Sequence, residues 1–109
     1  MEIKTGGNPT LRRNHLHHNG GGVLIQDSGL GTLEDNEING NGFHGVEIRT
    51  KGTPTLRRNR IHHNSLHGVL IHQGGGGVIQ DNEITGNASG AWSIAEDCKQ
   101  NVNVSGNTE

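Results

Sequence analysis

Short alternations of apolar and polar residues, separated by glycine and asparagine, recur along the chain. Val23–Ile25, Val46–Ile48 and Val69–Ile71 each place two β-branched residues on one face and a variable residue on the other. This period of two predicts β-strands. Glycine or asparagine interrupts the chain every five to eight residues, which leaves no stretch long enough for three helical turns. We therefore predict an all-β fold.

A ten-residue phrase occurs four times at nearly constant spacing. Its copies begin at Thr10, Thr32, Thr55 and Val78, so the period is 22 or 23 residues, and we call each period a coil, numbered 1 to 4. A fixed period of this length is typical of solenoids, and three short strands without a helix predict a parallel β-helix. The crossover rule for parallel strands predicts a right-handed one. We expect about four to five coils in a single domain, residues 1–109, that begins and ends in mid-coil.

Stacking the coils predicts four interior apolar columns, because residues one period apart lie in neighbouring coils about 4.8 Å apart. We expect Trp92 to be buried near the end of its column. The columns are Leu11, Leu33, Leu56 and Ile79; Leu16, Ile38, Ile61 and Ile84; Val23, Val46, Val69 and Trp92; and Ile3, Ile25, Ile48, Ile71 and Ile94.

Asparagine forms two further columns that point inward or lie at bends. Asparagine tolerates bend conformations, and its amide can bond to the same amide one coil away. We therefore interpret both columns as structural ladders rather than as a ligand site. They are Asn14, Asn36, Asn59 and Asn82, and Asn19, Asn41, Asn64 and Asn87.

Basic coils alternate with acidic or neutral ones on the predicted outside. Opposite charges stacked across strands are favourable and like charges are not, so we expect ion pairs that set the register rather than a phosphate site. The columns are Arg12, Glu34, Arg57 and Gln80; Arg13, Asp35, Arg58 and Asp81; and His15, Glu37, Arg60 and Glu83.

The composition excludes several functions. The net charge is −2, so no strongly basic field is present to hold a nucleic acid, and we expect no nucleic-acid partner. No apolar run approaches membrane length, so we expect no membrane partner. Cys98 is the only cysteine, which rules out an internal disulfide. Apolar residues make up only 28% of the chain, which would suggest disorder, but the strict repeat argues for a fold.

Eight histidines raise the question of a metal. His15 and His17 could share one face of a strand, but His17 and His62 lie two coils apart, too far for one ion. If the chain is extended at His62 and His63, their side chains point to opposite sides. We therefore predict no metal site and no cofactor.

One outward column offers a candidate binding surface. Leu24, Glu47 and Leu70 occupy the variable position of successive strands, and Arg49 and His72 lie in the column beside them. Packing of the core does not require an outward leucine, so a partner contact is one reading and an ordinary exposed leucine is the other. These five residues are our candidate binding site.

The phrases Pro54–Asn64, Gly68–Ile71 and Leu33–Ile38 resemble the β-helix repeats of the F-box-only substrate receptors of cullin–RING ubiquitin ligases. Those repeats belong to a wider class of carbohydrate-binding and sugar-hydrolase (CASH) repeats with a pectin-lyase-like fold. The resemblance implies a substrate-recognition module and a cytoplasmic or nuclear location. No F-box or zinc-finger pattern occurs in these residues.

The sequence leaves two functions open. We expect a non-catalytic module that binds a protein, with a carbohydrate-binding protein or a polysaccharide lyase or hydrolase as the alternative. The acidic coils face arginines and only two aromatic residues are present, so the sequence argues against catalysis and we predict no catalytic residue. Because neither end carries a recognisable cap, we also expect end-to-end self-association.

Overall fold

The computed structural model describes all 109 residues. The chain winds through three parallel sheets, which we name A, B and C. Sheet A contains β1 (Glu2–Ile3), β4 (Val23–Ile25), β7 (Val46–Ile48), β10 (His67–Ile71) and β13 (Gly90–Ile94). Sheet B contains β2 (Thr10–Arg12), β5 (Thr32–Glu34), β8 (Thr55–Arg57), β11 (Gly77–Gln80) and β14 (Val102–Ser105). Sheet C contains β3 (His15–His17), β6 (Glu37–Asn39), β9 (Arg60–His62) and β12 (Glu83–Thr85).

The strand registers confirm the predicted stacking. Leu33 pairs with Leu11 on one side and with Leu56 on the other, and Leu56 then pairs with Ile79. The equivalent registers hold in sheets A and C, so each period is one turn of a solenoid of about five turns. Each strand inside a sheet therefore satisfies its backbone through the coils above and below it, and each edge strand through one neighbouring coil.

The apolar columns form one core inside the three sheets. Ile25, Ile48, Leu56 and Ile61 are completely buried. Trp92 pairs with Val69 as the column predicts. It is only partly buried, however, so the expectation of a buried Trp92 was wrong. The reason is that β13 lies at the edge of sheet A, where no further strand covers it.

Residues whose backbone adopts the left-handed conformation, with positive φ, form corners between the sheets. The corner after sheet B is made by Arg13, Asp35, Arg58 and Asp81, whose φ values lie between 54° and 58°. Left-handed conformations are unfavourable for such residues, so the surrounding contacts must stabilise them. The asparagine that follows each of these residues is not left-handed itself. The side chains of Asn36, Asn59 and Asn82 instead enter the interior, whereas Asn14, in the first coil, is exposed.

Both predicted asparagine ladders are present. Asn59 Nδ2 donates to Asn82 Oδ1 at 3.0 Å and to the Leu33 carbonyl at 2.9 Å. Its Oδ1 accepts the backbone N–H and the Nδ2 of Asn36, both at 3.0 Å. Asn107 adds one more rung, because its Oδ1 accepts Nδ2 of Asn82 at 3.0 Å. Each interior rung thus connects three coils with three or four side-chain hydrogen bonds.

The last turn departs from the regular period. Ile79 pairs with Val104, 25 residues later, and the extra residues form a short 3-10 helix at Glu96–Cys98. The Cys98 side chain is fully buried, and this burial raises the pKa of its thiol. No helix in the structure has the length and apolar character that crossing a membrane requires.

Candidate functional site

The five candidate binding residues lie together on the outer face of sheet A. Leu24 pairs with Glu47, and Glu47 pairs with Leu70, so the carboxylate lies between two leucines. Neither leucine belongs to the core cluster, which confirms that both point outward. Both are nevertheless half-buried. Arg49 and His72 lie in the adjacent column.

Glu47 is the centre of a polar network. Its Oε2 accepts His72 Nε2 at 2.7 Å and lies 3.6 Å from Arg49 Nη1. Arg49 Nε donates to Gln26 Oε1 at 3.0 Å, and Gln26 Nε2 donates in turn to Glu2. The network holds these side chains in fixed positions beside the leucines. The outer face of sheet A therefore carries an ordered row of polar side chains, Gln26, Arg49 and His72. Beside it lies a second row, in which Glu47 separates Leu24 from Leu70.

A groove of about 570 Å³ continues this surface toward coil 1. Val23, Leu24 and Glu47 are among the residues that line it. Phe43 borders the groove and is 61% exposed, which is unusual for so large an apolar side chain. The groove thus combines an exposed aromatic ring with a carboxylate.

Phe43, His44 and His67 are surface residues that the sequence analysis missed. The His44 and His67 rings stack with centroids 5.6 Å apart and planes inclined by 12°. His44 Nδ1 accepts the His67 backbone N–H at 3.2 Å, so neutral His44 carries its proton on Nε2. Burial lowers the pKa of His44, and the nearby Glu47 carboxylate opposes this shift. The 23-residue spacing of the two histidines was the signal that could have revealed the stack.

Comparison with known protein families gives one match. A family model described as "Right handed beta helix region" matches residues 1–108. The chain belongs to this right-handed β-helix family. No curated protein and no solved structure matched the chain. The family includes enzymes and non-enzymes, so membership establishes the fold of this β-helix and not its activity.

The outer face of sheet B carries the predicted ion pairs. Glu34 lies 3.3 Å from Arg12 Nε, 3.5 Å from Arg57 Nη2 and 3.2 Å from Arg58 Nη2. Arg58 Nε also donates to Asp35 Oδ1 at 3.1 Å, and this hydrogen bond raises the pKa of Arg58. Arg12, Arg57 and Arg58 are therefore engaged by acidic groups of the neighbouring coil, as predicted. Arg13, at the corner of coil 1, makes no ion pair, so the predicted pairing of Arg13 with Asp35 was wrong.

His15 and His17 share one face of β3 as expected, with their rings stacked at 4.2 Å, but His62 and His63 differ from the sequence expectation. His63 is left-handed, with φ 53°, and this turns its ring toward His62 rather than away from it. The two Nδ1 atoms lie 2.6 Å apart, so the prediction of opposite directions was wrong. No group of three or more His, Cys, Asp or Glu side chains is arranged so that it could hold a metal ion.

Proposed function

We propose that this β-helix is a non-catalytic interaction module that binds a protein segment through the outer face of sheet A. The observation that carries the proposal is the convergence of Leu24, Glu47 and Leu70 beside the groove that Phe43 borders. Exposed apolar side chains next to an ordered polar row are typical of protein-binding surfaces.

The scaffold favours binding of an extended segment. Leu24 and Leu70 lie two coils apart, or roughly 10 Å from the strand spacing. A segment that crosses the coils can therefore contact both leucines and Phe43 at once. Burying one such side chain completely contributes about 1.5–3 kcal/mol, and the backbone of the rigid sheet loses little freedom on binding. The network around Glu47 would orient the polar groups of the segment.

The resemblance to F-box-only receptors supports a more specific form of this proposal. In those proteins the β-helix is the substrate-recognition region. The partner of this chain would then be a segment of a protein that is marked for ubiquitylation. Glu47, Arg49 and His72 would distinguish such segments by their charge.

Site-specific photocrosslinking tests the proposal. A photoreactive amino acid at Leu70 should capture a discrete partner from cell extract, whereas the same probe at Arg12 on sheet B should not. Capture through Leu70 should fall at least tenfold when Leu24 is replaced by Ser. Equal capture from both faces, or capture that Leu24→Ser leaves unchanged, would argue against a binding site on sheet A.

Carbohydrate binding is the second candidate, and the exposed Phe43 ring beside Glu47 favours it. Aromatic rings provide stacking surfaces and carboxylates accept hydroxyl hydrogens. A glycan array should then show a signal that Phe43→Ala abolishes. Release of unsaturated or reducing sugars from a bound polysaccharide would extend this candidate to catalysis.

Self-association stays a prediction. The open edges of β1 and β13 are able to pair with another strand. Light scattering over a concentration series should then show a rising mass, and a constant monomer mass at high concentration would contradict it.

A further inference from the structure

Two pairs of consecutive histidines have the same unusual geometry. His17 Nδ1 lies 2.5 Å from His18 Nδ1, and His62 Nδ1 lies 2.6 Å from His63 Nδ1. In each pair the two rings meet edge to face, with interplanar angles of 75° and 82°. The same arrangement therefore forms twice, 45 residues apart, from the same two-residue sequence.

The backbone explains why the rings converge. His18 and His63 are left-handed, with φ 56° and 53°, so the second ring of each pair turns back toward the first. The next coil has a glycine at the equivalent corner, Gly40 below His18 and Gly86 below His63. A Cβ added at Gly86 would lie only 3.3 Å from His63 Nε2, so glycine leaves the space that the ring occupies.

The short distance restricts the protons in each pair. Two ring nitrogens so close together can hold only one proton between them, because two N–H groups would point at each other. One nitrogen therefore always presents a lone pair to the other. A metal ion can take the place of the shared proton and bind both lone pairs.

We infer that each histidine pair is a two-nitrogen site for a late transition-metal ion such as Zn²⁺ or Cu²⁺. Metal–nitrogen distances of about 2.0–2.1 Å and bond angles of about 90–110° place the two nitrogens roughly 2.9–3.4 Å apart. The rings need to separate by less than about 1 Å from their present positions to reach this distance. Imidazole suits these metals, and water would complete the coordination.

The two sites are not equivalent. His62 Nε2 donates to Glu37 Oε2 at 2.8 Å, so His62 keeps its proton on Nε2 and its Nδ1 lone pair faces His63. A metal-binding histidine usually donates its other ring N–H to a carboxylate or a similar acceptor. Loss of that acceptor weakens metal binding by about 10–100-fold. His63 then moves its own proton from Nδ1 to Nε2 when the metal binds. No such carboxylate bonds to His17, so the His62–His63 site should bind more tightly.

Calorimetric titration with Zn²⁺ and Cu²⁺ at neutral pH tests the inference. The wild-type chain should bind two equivalents with different affinities. His63→Asn should remove the tighter equivalent and His18→Asn the weaker one, since asparagine tolerates the left-handed conformation. Glu37→Gln should keep both equivalents and weaken the tighter one about tenfold. His72→Gln, which removes a histidine outside the pairs, should change neither.

Nitrogen NMR of the histidine rings provides a readout that does not depend on affinity. Addition of Zn²⁺ should shift the Nδ1 signals of His17, His18, His62 and His63. Folding of every variant is checked by its circular dichroism and melting temperature. The inference is overturned if no stoichiometric binding occurs, if the His72 variant loses as much binding as the pair variants, or if only Nε2 signals respond.

Discussion

The outer faces of sheets A and B share the same scaffold, yet they arrange charge in different ways. On sheet B, Glu34 is only 8% exposed and contacts arginines from both neighbouring coils. On sheet A, leucines lie directly above and below Glu47, so its ionic partners come from the adjacent column. Charges thus neutralise one another along the stack on sheet B, whereas on sheet A the stack alternates acidic and apolar residues.

This difference shows how a repeat protein can separate stability from recognition. The face of sheet B uses its polar groups to connect one coil to the next, and little remains for a partner. The face of sheet A keeps apolar surface available, because Glu47 pairs with Arg49 and His72 in the adjacent column and not with the residues above and below it. The core and the asparagine ladders stabilise the coils that carry both faces. Substitutions should therefore sort into three classes: shared interior, sheet B and sheet A.

The largest effect is expected in the shared interior. Asn59→Ala leaves two donors of Asn36 and the Leu33 carbonyl without partners inside the fold. Each unpaired buried group costs about 1–3 kcal/mol, so we expect a loss of about 3–5 kcal/mol in the free energy of unfolding. Chemical denaturation measures it. Asn14→Ala, at an exposed rung, is the matched control and should cost about 1 kcal/mol; equal losses would show that burial of the rung does not set its contribution to stability.

The next effect compares the two carboxylates. Glu34→Gln removes the charge that three arginines share, and we expect a loss of about 2 kcal/mol in unfolding free energy. Glu47→Gln should cost less than about 1 kcal/mol, because its surroundings are more exposed. Urea unfolding at low and high salt checks both values, and the difference between the variants should shrink in high salt. A larger cost for Glu47→Gln would reverse our assignment of the two faces.

A smaller effect on stability is expected from the sheet A leucines. Leu24→Ser and Leu70→Ser each remove a half-buried side chain outside the core, so each should cost about 1 kcal/mol. Their main effect should be on partner binding. Thermal melts measure the first and the crosslinking yield measures the second. Unfolding of the double variant at room temperature would instead show that these leucines act as core residues.

The smallest effect is the pH dependence of the unfolding free energy that His44 contributes. Burial lowers the pKa of His44 below its ordinary value of 6.5, while Glu47 opposes and His67 and His72 reinforce the shift. The unfolded chain therefore binds this proton more readily, and stability declines as the pH falls below about 6.5. Denaturation midpoints at pH 7.5 and 5.5 should differ less in His44→Gln than in the wild type.

Glu37 offers an internal comparison for this measurement. Its hydrogen bond with His62 lowers the pKa of the carboxyl group below 4.5, so the stability it contributes is present above that pH and is lost only at lower pH. The two groups therefore act in separate ranges. A loss of stability between pH 7.5 and 5.5 that His44→Gln leaves unchanged would contradict our assignment to His44.

The sequence by itself determined the fold and the interior columns, because a periodic pattern indicates which residues lie in the same column. The spacing of Leu11, Leu33 and Leu56 predicted the coils, and the asparagine columns predicted both ladders. The family match and the strand registers confirm the right-handed β-helix. The sequence also placed Leu24, Glu47 and Leu70 on one outward column, which the registers confirm.

Only the tertiary structure decided the features that depend on single backbone conformations and on the edges of sheets. The left-handed φ of His63 brings its ring to His62, and no periodic pattern contains that dihedral angle. The partial exposure of Trp92 depends on the position of β13 at a sheet edge, and the groove beside Phe43 is lined by residues of neighbouring coils that only folding brings together. Periodicity reports which residues are neighbours along the stack, whereas corners and edges decide what those neighbours expose.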